Sequence, residues 1–423
     1  MRAAISLYSY KHNDGERRYA QGKGVGSDVG CIGVGCCCGG ICQSAGRRDA
    51  RLRHFGRVRR KTRALDGPVS IASGREQRER VTHVHAMIPV SVQHKLLVWL
   101  STGSLLILFS AGLLSKASEP VWRWTLPAGV SAPPIPADNP MTAAKVELGR
   151  RLFYDADLSA DGTMSCATCH EQKHAFADGN RTHPGVTDEP ARRNVPGLAN
   201  VAWFTPLTFA DPANTTLEAQ VASPVFGIRP VEMGMAGREA EIGVRLGRDS
   251  CYQVMFARAF PENGGRIDFA NVARALASFE RTLVSHGSAW DRQQLSPDAK
   301  IGSTLFARDC AACHSGPHFT DSAMHRLEAA DPTFADQGLF EKTGIDADRG
   351  RFRTPSLRNV TLTGPWWHDG SARSLADAIA RHGLTHEPAE TNHLIAFLES
   401  LSDPEFIRRK SLGMPSEACG KPL

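Results

Sequence analysis

At 423 residues, with 41% hydrophobic and 22% charged side chains, the chain is long enough for two or more domains with cores of their own and has a soluble protein's make-up. The net charge of +6 is unevenly placed, with a dense run of arginines between Arg47 and Arg63. No aromatic interleaving and no recognisable nucleic-acid module accompany that run, so nucleic acid is excluded as a partner.

Residues 1–86 carry a Gly/Cys-rich patch (Cys31, Cys36, Cys37, Cys38, Cys42) and no sustained apolar periodicity, and read as a disordered or over-extended N-terminus. Met87 offers an internal start. In residues 87–117, His94-Lys95 precede the apolar run Leu96–Leu114, and Ser115-Lys116-Ala117 supplies small-x-small residues. This segment is a signal peptide cleaved after Ala117, or a membrane anchor, since the run is about long enough to span a bilayer. Either way the remainder is exported, and the anchor is the one membrane contact expected. Residues 118–140, rich in Pro and Ala, resist helix formation. Thr142 then opens a helix through Phe153, with Leu148, Leu152 and Phe153 on one face. Gly149 lies on the same face and permits a close neighbour.

The turn Ser159–Met164 delivers the chain to Cys166-Ala167-Thr168-Cys169-His170, and the pattern returns as Cys310-Ala311-Ala312-Cys313-His314. C-x-x-C-H is the attachment signal for c-type haem: the thiols add to the porphyrin vinyl groups and the His lies beneath the iron. A zinc site would need four ligands from two distant segments, each with its own trailing His. Six cysteines follow residue 118, and four of them sit in these two motifs. Two covalent haem c groups are therefore expected, with His170 and His314 as proximal ligands. Bacterial haem attachment occurs outside the cytoplasm, in agreement with the export segment.

Residues 171–216 form a long irregular stretch that is expected to wrap a haem. Helical signal follows at Leu217–Ser223 and Arg238–Arg248, and is strongest at Asp268–Ser285, an apolar stripe under an Asp268 cap. A polar connector, residues 287–300, leads to the helix of the second motif, and Leu375–Arg381 and Thr391–Leu401 are again helical. The fold class is mostly α: two cytochrome-c-like haem domains with long irregular loops. With a boundary near residue 290, residues 118–290 make the first haem domain, 291–412 the second and 413–423 a tail. Cys251 and Cys419 either stay separate thiols or pair, closing a loop of 168 residues. A bond would contribute roughly 4–5 kcal/mol by chain entropy.

Leu158-Ser159, Met164–His170, Ala191–Asn200, Leu217–Gln220, Val231-Glu232-Met233, Arg353–Val360 and His368-Asp369-Gly370 resemble, in order, the di-haem cytochrome c peroxidase and MauG family. The lead-in Trp124–Pro127, Pro136–Pro140 and the segment Pro230–Gly234 are most similar to its MbnH-like branch. Members of that branch accompany a copper-associated partner protein and oxidise a Trp in it.

The resemblance implies a peroxide site at the first haem, with Glu232 and Gln220 lining it. Heterolysis of the O–O bond needs a proton moved from the inner to the outer oxygen, which a positioned carboxylate can do. Without the motif, Glu232 reads as a solvated loop carboxylate; Met233 reads as packing. At the second haem the family's Met ligand has no counterpart, because no Met occurs between Met324 and Met414. His382 stands at about the family's sixth-ligand position, with His386 one turn further as runner-up and a surface His as the blander reading. Imidazole in place of thioether lowers a haem's potential.

The resemblance also implies Ca²⁺ on the Asn194 side chain and the carbonyls of Thr363 and Pro365. The spacing of His183 to Asn194 departs from the family's movable ligand, so His183 is not assigned. Relatives place a Trp between the haems where this chain has Phe209, and Trp203 is the nearby substitute. The implied function is an exported di-haem oxidoreductase of the periplasm, soluble or anchored to the inner membrane. It reacts with hydrogen peroxide at the N-terminal haem and oxidises a Trp or Tyr of a partner protein through the C-terminal one. The alternative is a cytochrome c peroxidase drawing electrons from a small redox protein. Glu232 argues against a plain electron carrier.

Overall fold

In chain order, α1 (Ala143–Phe153) is followed by one helical turn at the first motif, α2 (Cys166–Cys169). A long stretch of loops and 3-10 turns then leads to α3 (Leu217–Gln220), α4 (Ala222–Phe226), α5 (Glu239–Leu246), α6 (Ser250–Ala259) and α7 (Phe269–Glu280). The second half contains α8 (Pro297–Asp309), α9 (Phe340–Thr343), α10 (Leu375–Ala380) and α11 (Pro388–Glu399). Sheet is confined to two antiparallel pairs: β1 (Met324–His325) with β2 (Phe352–Arg353), and β3 (Glu417–Ala418) with β4 (Lys421–Pro422). The computed structural model describes residues 122–327 and 335–422. The expectations for 1–86 and 87–117 lie outside the described residues. None of the described helices is long and apolar enough to cross a membrane.

The mainly helical class is as expected, and so are the caps. Thr142 accepts from the Lys145 amide at 3.2 Å, and Asp268 from the Asn271 amide at 2.9 Å. Two boundaries differ. Ser296 caps α8 and Pro297 occupies its first turn, so the connector is shorter than the polar composition suggests. Helix α6 was not anticipated; Asp249 caps it, and Tyr252, Met255, Phe256 and Ala259 are its buried residues.

Two helix crossings organise the core. Helix α1 crosses α7 at Gly149, where a Cβ would lie 1.8 Å from the Ala275 carbonyl oxygen. Helix α8 crosses α11 at Gly302, where a Cβ would lie 1.9 Å from the His393 oxygen. Both crossings depend on a glycine for close backbone approach. Each is backed by three phenylalanines. Phe153 meets Phe176 at 5.9 Å and Phe279 at 5.2 Å; Phe306 meets Phe319 at 5.8 Å and Phe397 at 4.9 Å. A buried side chain of this size contributes about 1.5–3 kcal/mol.

A buried polar hub links the two crossings. Asn200 and Asn359 both adopt left-handed backbone (φ 59° and 60°), which Asn tolerates. Asn200 exchanges two hydrogen bonds with the Ser285 backbone, at 2.9 and 2.7 Å. Asn359 donates to the Ser285 hydroxyl at 2.9 Å and accepts from the Asp403 amide at 2.8 Å. Past Asp403 the chain turns back onto the first core, where Phe406, Leu412 and Ala418 are buried. Cys251 and Cys419 form a disulfide with Cα atoms 5.8 Å apart, so the pairing alternative is the one realised.

Candidate functional site

Cys310, Cys313 and His314 follow α8 and line a cavity of about 440 Å³. The His314 Nδ1 donates to the Phe319 carbonyl at 3.1 Å, which fixes the tautomer and leaves Nε2 as the electron-pair donor. Burial pushes its pKa down to about 4, so the ring is neutral and ready to ligate. His382, just past α10, is oriented in the same way by donating Nδ1 to the Ala378 carbonyl at 2.8 Å. The two ring centroids are 6.4 Å apart. Two imidazoles sharing one metal, each nitrogen about 2 Å from it, have centroids roughly 6 Å apart, so this pair fits one iron. His386 faces elsewhere: its Nε2 lies 2.9 Å from the Asp309 carboxylate.

A second observation fits a haem in this cavity. Arg353 lines it, is 5% exposed, and bonds only to carbonyl oxygens, those of Thr208 (3.2 Å) and Thr354 (3.3 Å). Among the described residues no carboxylate pairs with it, and burial pulls its pKa down to about 10. A buried cation needs an anion, and a haem propionate is one.

The first motif is built on the same plan. Ser165 and Thr168 form a capping box around α2, and both thiols are unpaired. The His170 Nδ1 donates to the Phe176 carbonyl at 2.7 Å, and burial lowers its pKa. Phe176 and Phe319 are both left-handed, at φ 64° and 54°, so one backbone device serves both histidines. His183 lies near enough to lower the His170 pKa further, but among the described residues no ring contact joins the two as one joins His314 and His382.

A carboxylate, Glu232, is also brought to the first motif, beside Cys169. Its loop is held on three sides. The Val186 amide donates to the Glu232 carbonyl (2.8 Å), the Ala160 amide to that of Met233 (2.8 Å), and the Met233 amide to that of Pro224 in α4 (3.0 Å). A Cβ on Gly185 would lie 1.8 Å from the Val231 oxygen, so the facing turn requires glycine. Met233 is buried core, as read. Burial raises the Glu232 pKa, with His183 opposing. Burial, with Glu232 and then Asp178 adding to it, pushes the Cys169 thiol up to about 12. His183, left unassigned by its spacing, therefore belongs to this neighbourhood. Gln220 ends α3, two positions before the start of α4, which supports the Glu232 loop, but no hydrogen bond joins the Gln220 and Glu232 side chains. Glu280, missed in the sequence, is buried near Cys166, and burial holds its carboxyl up to about 8.

Asn194, Thr363, Pro365 and Phe209 all line the same cavity as His314. The Asn194 Nδ2 is occupied by the carbonyls of Asn180 (2.9 Å) and Arg181 (3.2 Å). Trp203 lies 5.2 Å from His318 and 5.9 Å from His286, two imidazoles that each bury one nitrogen without a partner.

Residues 143–300 match the family model described as di-haem cytochrome c peroxidase. The methylamine utilization protein MauG of Methylophilus methylotrophus is 34% identical over 294 residues, 63% of this chain and 85% of that protein. This chain belongs to the di-haem cytochrome c peroxidase and MauG family. The cytochrome c551 peroxidase of Pseudomonas aeruginosa is 32% identical over 282 residues, 62% of this chain and 80% of its own. Among solved structures, a MauG-like protein associated with microbial copper homeostasis superposes with a TM-score of 0.67 at 34% identity, over 70% of this chain and all of its own. Membership in the di-haem family makes the chain a peroxidase-type oxidoreductase with haem c cofactors. The thiol pairs, the backbone-oriented histidines and the unpaired Arg353 agree with that chemistry.

Proposed function

We propose that this family member is an exported enzyme that uses hydrogen peroxide to oxidise a partner protein. Cys166, Cys169 and His170 hold the first haem; Cys310, Cys313, His314 and His382 hold the second. Residues 118–290 and 291–412 are their respective domains. When bound, the haems supply the iron that reacts with peroxide and the redox store that collects electrons from the partner.

The observation that carries this reading is the asymmetry between two otherwise similar cradles. His314 has an imidazole in ring contact with it, whereas the first motif has the carboxylate of Glu232 beside Cys169, with His183 near both Glu232 and His170. Glu232 takes the proton from the inner peroxide oxygen and returns it to the outer one, and Gln220 lines the same pocket. Paired imidazoles favour the oxidised state of the second haem. Asn194, with the carbonyls of Thr363 and Pro365, holds a Ca²⁺ beside it. The copper association of the 34%-identical structural neighbour supports a copper-associated partner carrying the target Trp or Tyr.

A second reading keeps support. Several relatives are cytochrome peroxidases, and Phe209 offers no readily oxidisable ring where the family resemblance implies a Trp. Mixing the purified holoenzyme with peroxide and a copper-associated protein encoded beside it separates the two. Oxidised Trp or Tyr in the partner's mass spectrum supports the proposal. Rapid oxidation of a reduced small cytochrome, with the partner unmodified, supports the alternative.

A further inference from the structure

The two proximal loops are built alike but braced differently. The Phe319 ring is braced by Trp290 at 4.9 Å, from the connector that precedes α8. The Phe176 ring is braced by Phe406 at 5.5 Å, from the C-terminal segment. Gln172, two residues after His170, donates its Nε2 to the carbonyls of Phe406 (3.1 Å) and Arg409 (2.9 Å). Gly413 passes so close that a Cβ would lie 2.9 Å from the Gln172 Oε1. From α1, Arg150 donates to the carbonyls of Gly413 (2.6 Å) and Lys410 (2.8 Å). The Tyr154 hydroxyl donates to the Leu412 carbonyl at 2.8 Å. The disulfide to Cys251 then fastens the end of this strap.

We propose that Phe406 and Gln172 are positioning residues for His170. The strap from Asp403 to Cys419 holds the Phe176 carbonyl on the imidazole and so sets the electron donation of the proximal ligand. A Phe keeps left-handed backbone only where its surroundings over-determine it, and Phe406 supplies part of that constraint. A proximal imidazole whose N–H is firmly bonded is the more basic ligand, and a more basic ligand favours the more oxidised iron. Phe319 is braced by Trp290, Phe306 and Phe397, none of them in the strap, so Phe406 and Gln172 act on the first proximal loop. The inference rests on His170 being the proximal ligand of the first haem.

The test compares Phe406→Ala, Phe406→Leu and Gln172→Ala in the full di-haem protein, reading both haem potentials and the melting temperature. The first haem's potential is expected to rise in Phe406→Ala and Gln172→Ala while the second stays put. Peroxide turnover should fall roughly tenfold, and Phe406→Leu should restore most of both properties. A lower melting temperature with both potentials unchanged would overturn the proposal, reducing the strap to a stabilising staple. Should Phe406→Ala fail to accumulate, Gln172→Ala removes only hydrogen bonds and decides by the same criterion. If His170 is not the ligand, His170→Ala leaves the first haem's spectrum intact, a result separate from any strap variant.

Discussion

His314 and His382 face each other across 6.4 Å, and each is turned to that position by a backbone carbonyl on its Nδ1. Under the proposed ligation, the imidazole just past α10 stands in for the thioether that the family resemblance implies, in a segment that has no methionine between Met324 and Met414. It also separates His382 from His386, which is spent on Asp309 at the end of α8.

His382→Ala should therefore remove the low-spin ferric signal of the second haem while both haems remain attached. His386→Ala should leave that signal in place and loosen only the join between α8 and the loop before α11. Electron paramagnetic resonance and intact mass measure the two outcomes. A low-spin signal lost in His386→Ala but kept in His382→Ala would put the ligand one turn further on.

Glu232→Gln keeps shape and removes the proton acceptor, so peroxide turnover should drop roughly 100-fold or more. The pH profile adds a signed check. Burial raises the Glu232 pKa, and the ionised form is the acceptor, so wild-type turnover should fall on the acid side at a pH above the ordinary carboxylate range. The same shift costs stability: the cost is absent below the unfolded pKa and complete above the raised one. At neutral pH Glu232→Gln should melt no lower than wild type. An unchanged acid limb in the variant would assign it to another group.

Arg353→Met removes a buried cation from the cavity beside His314. Positive charge nearby disfavours the oxidised haem, so its loss should lower the second haem's potential and leave the first unaffected. Redox titration followed at the two haems reads this directly. Equal shifts at both would mean that Arg353 serves the whole molecule rather than this cavity.

Cys251→Ser with Cys419→Ser should cost stability toward the roughly 4–5 kcal/mol expected for a loop of this length. Denaturant melts of the oxidised protein measure it. A loss near zero would mean that the packing of Phe406, Leu412 and Ala418 already holds the segment without the bond.

The two motifs, the crossing at Gly149 and the caps at Thr142 and Asp268 were legible because each is a local rule about spacing or backbone. Helix α6 was not, since its buried Tyr252 and Met255 sit in a segment with charged neighbours and a weak stripe. The roles of Phe176 and Phe319 were hidden for a different reason: it is their carbonyls, not their side chains, that bond His170 and His314. The internal repeat was present in plain view. Pro196-Gly197-Leu198-Ala199-Asn200-Val201 and Pro355-Ser356-Leu357-Arg358-Asn359-Val360 share P-x-L-x-N-V, and each runs into a 3-10 turn. The matching loops follow from this repeat; the differing braces do not. Arg353 read as a family motif residue, and only its lack of a carboxylate partner revealed a demand for an anion. The strap depends on contacts across more than two hundred residues, which no local pattern encodes.

In the proposed reading, two like cradles hold haems with unlike sixth positions, one for peroxide and one for electron storage. Electron paramagnetic resonance of the fully oxidised protein tests it most directly. One high-spin and one low-spin ferric signal of equal weight, the latter typical of two imidazoles, is the expected result. Two low-spin signals, or a Met–iron charge-transfer band in the companion optical spectrum, would contradict it.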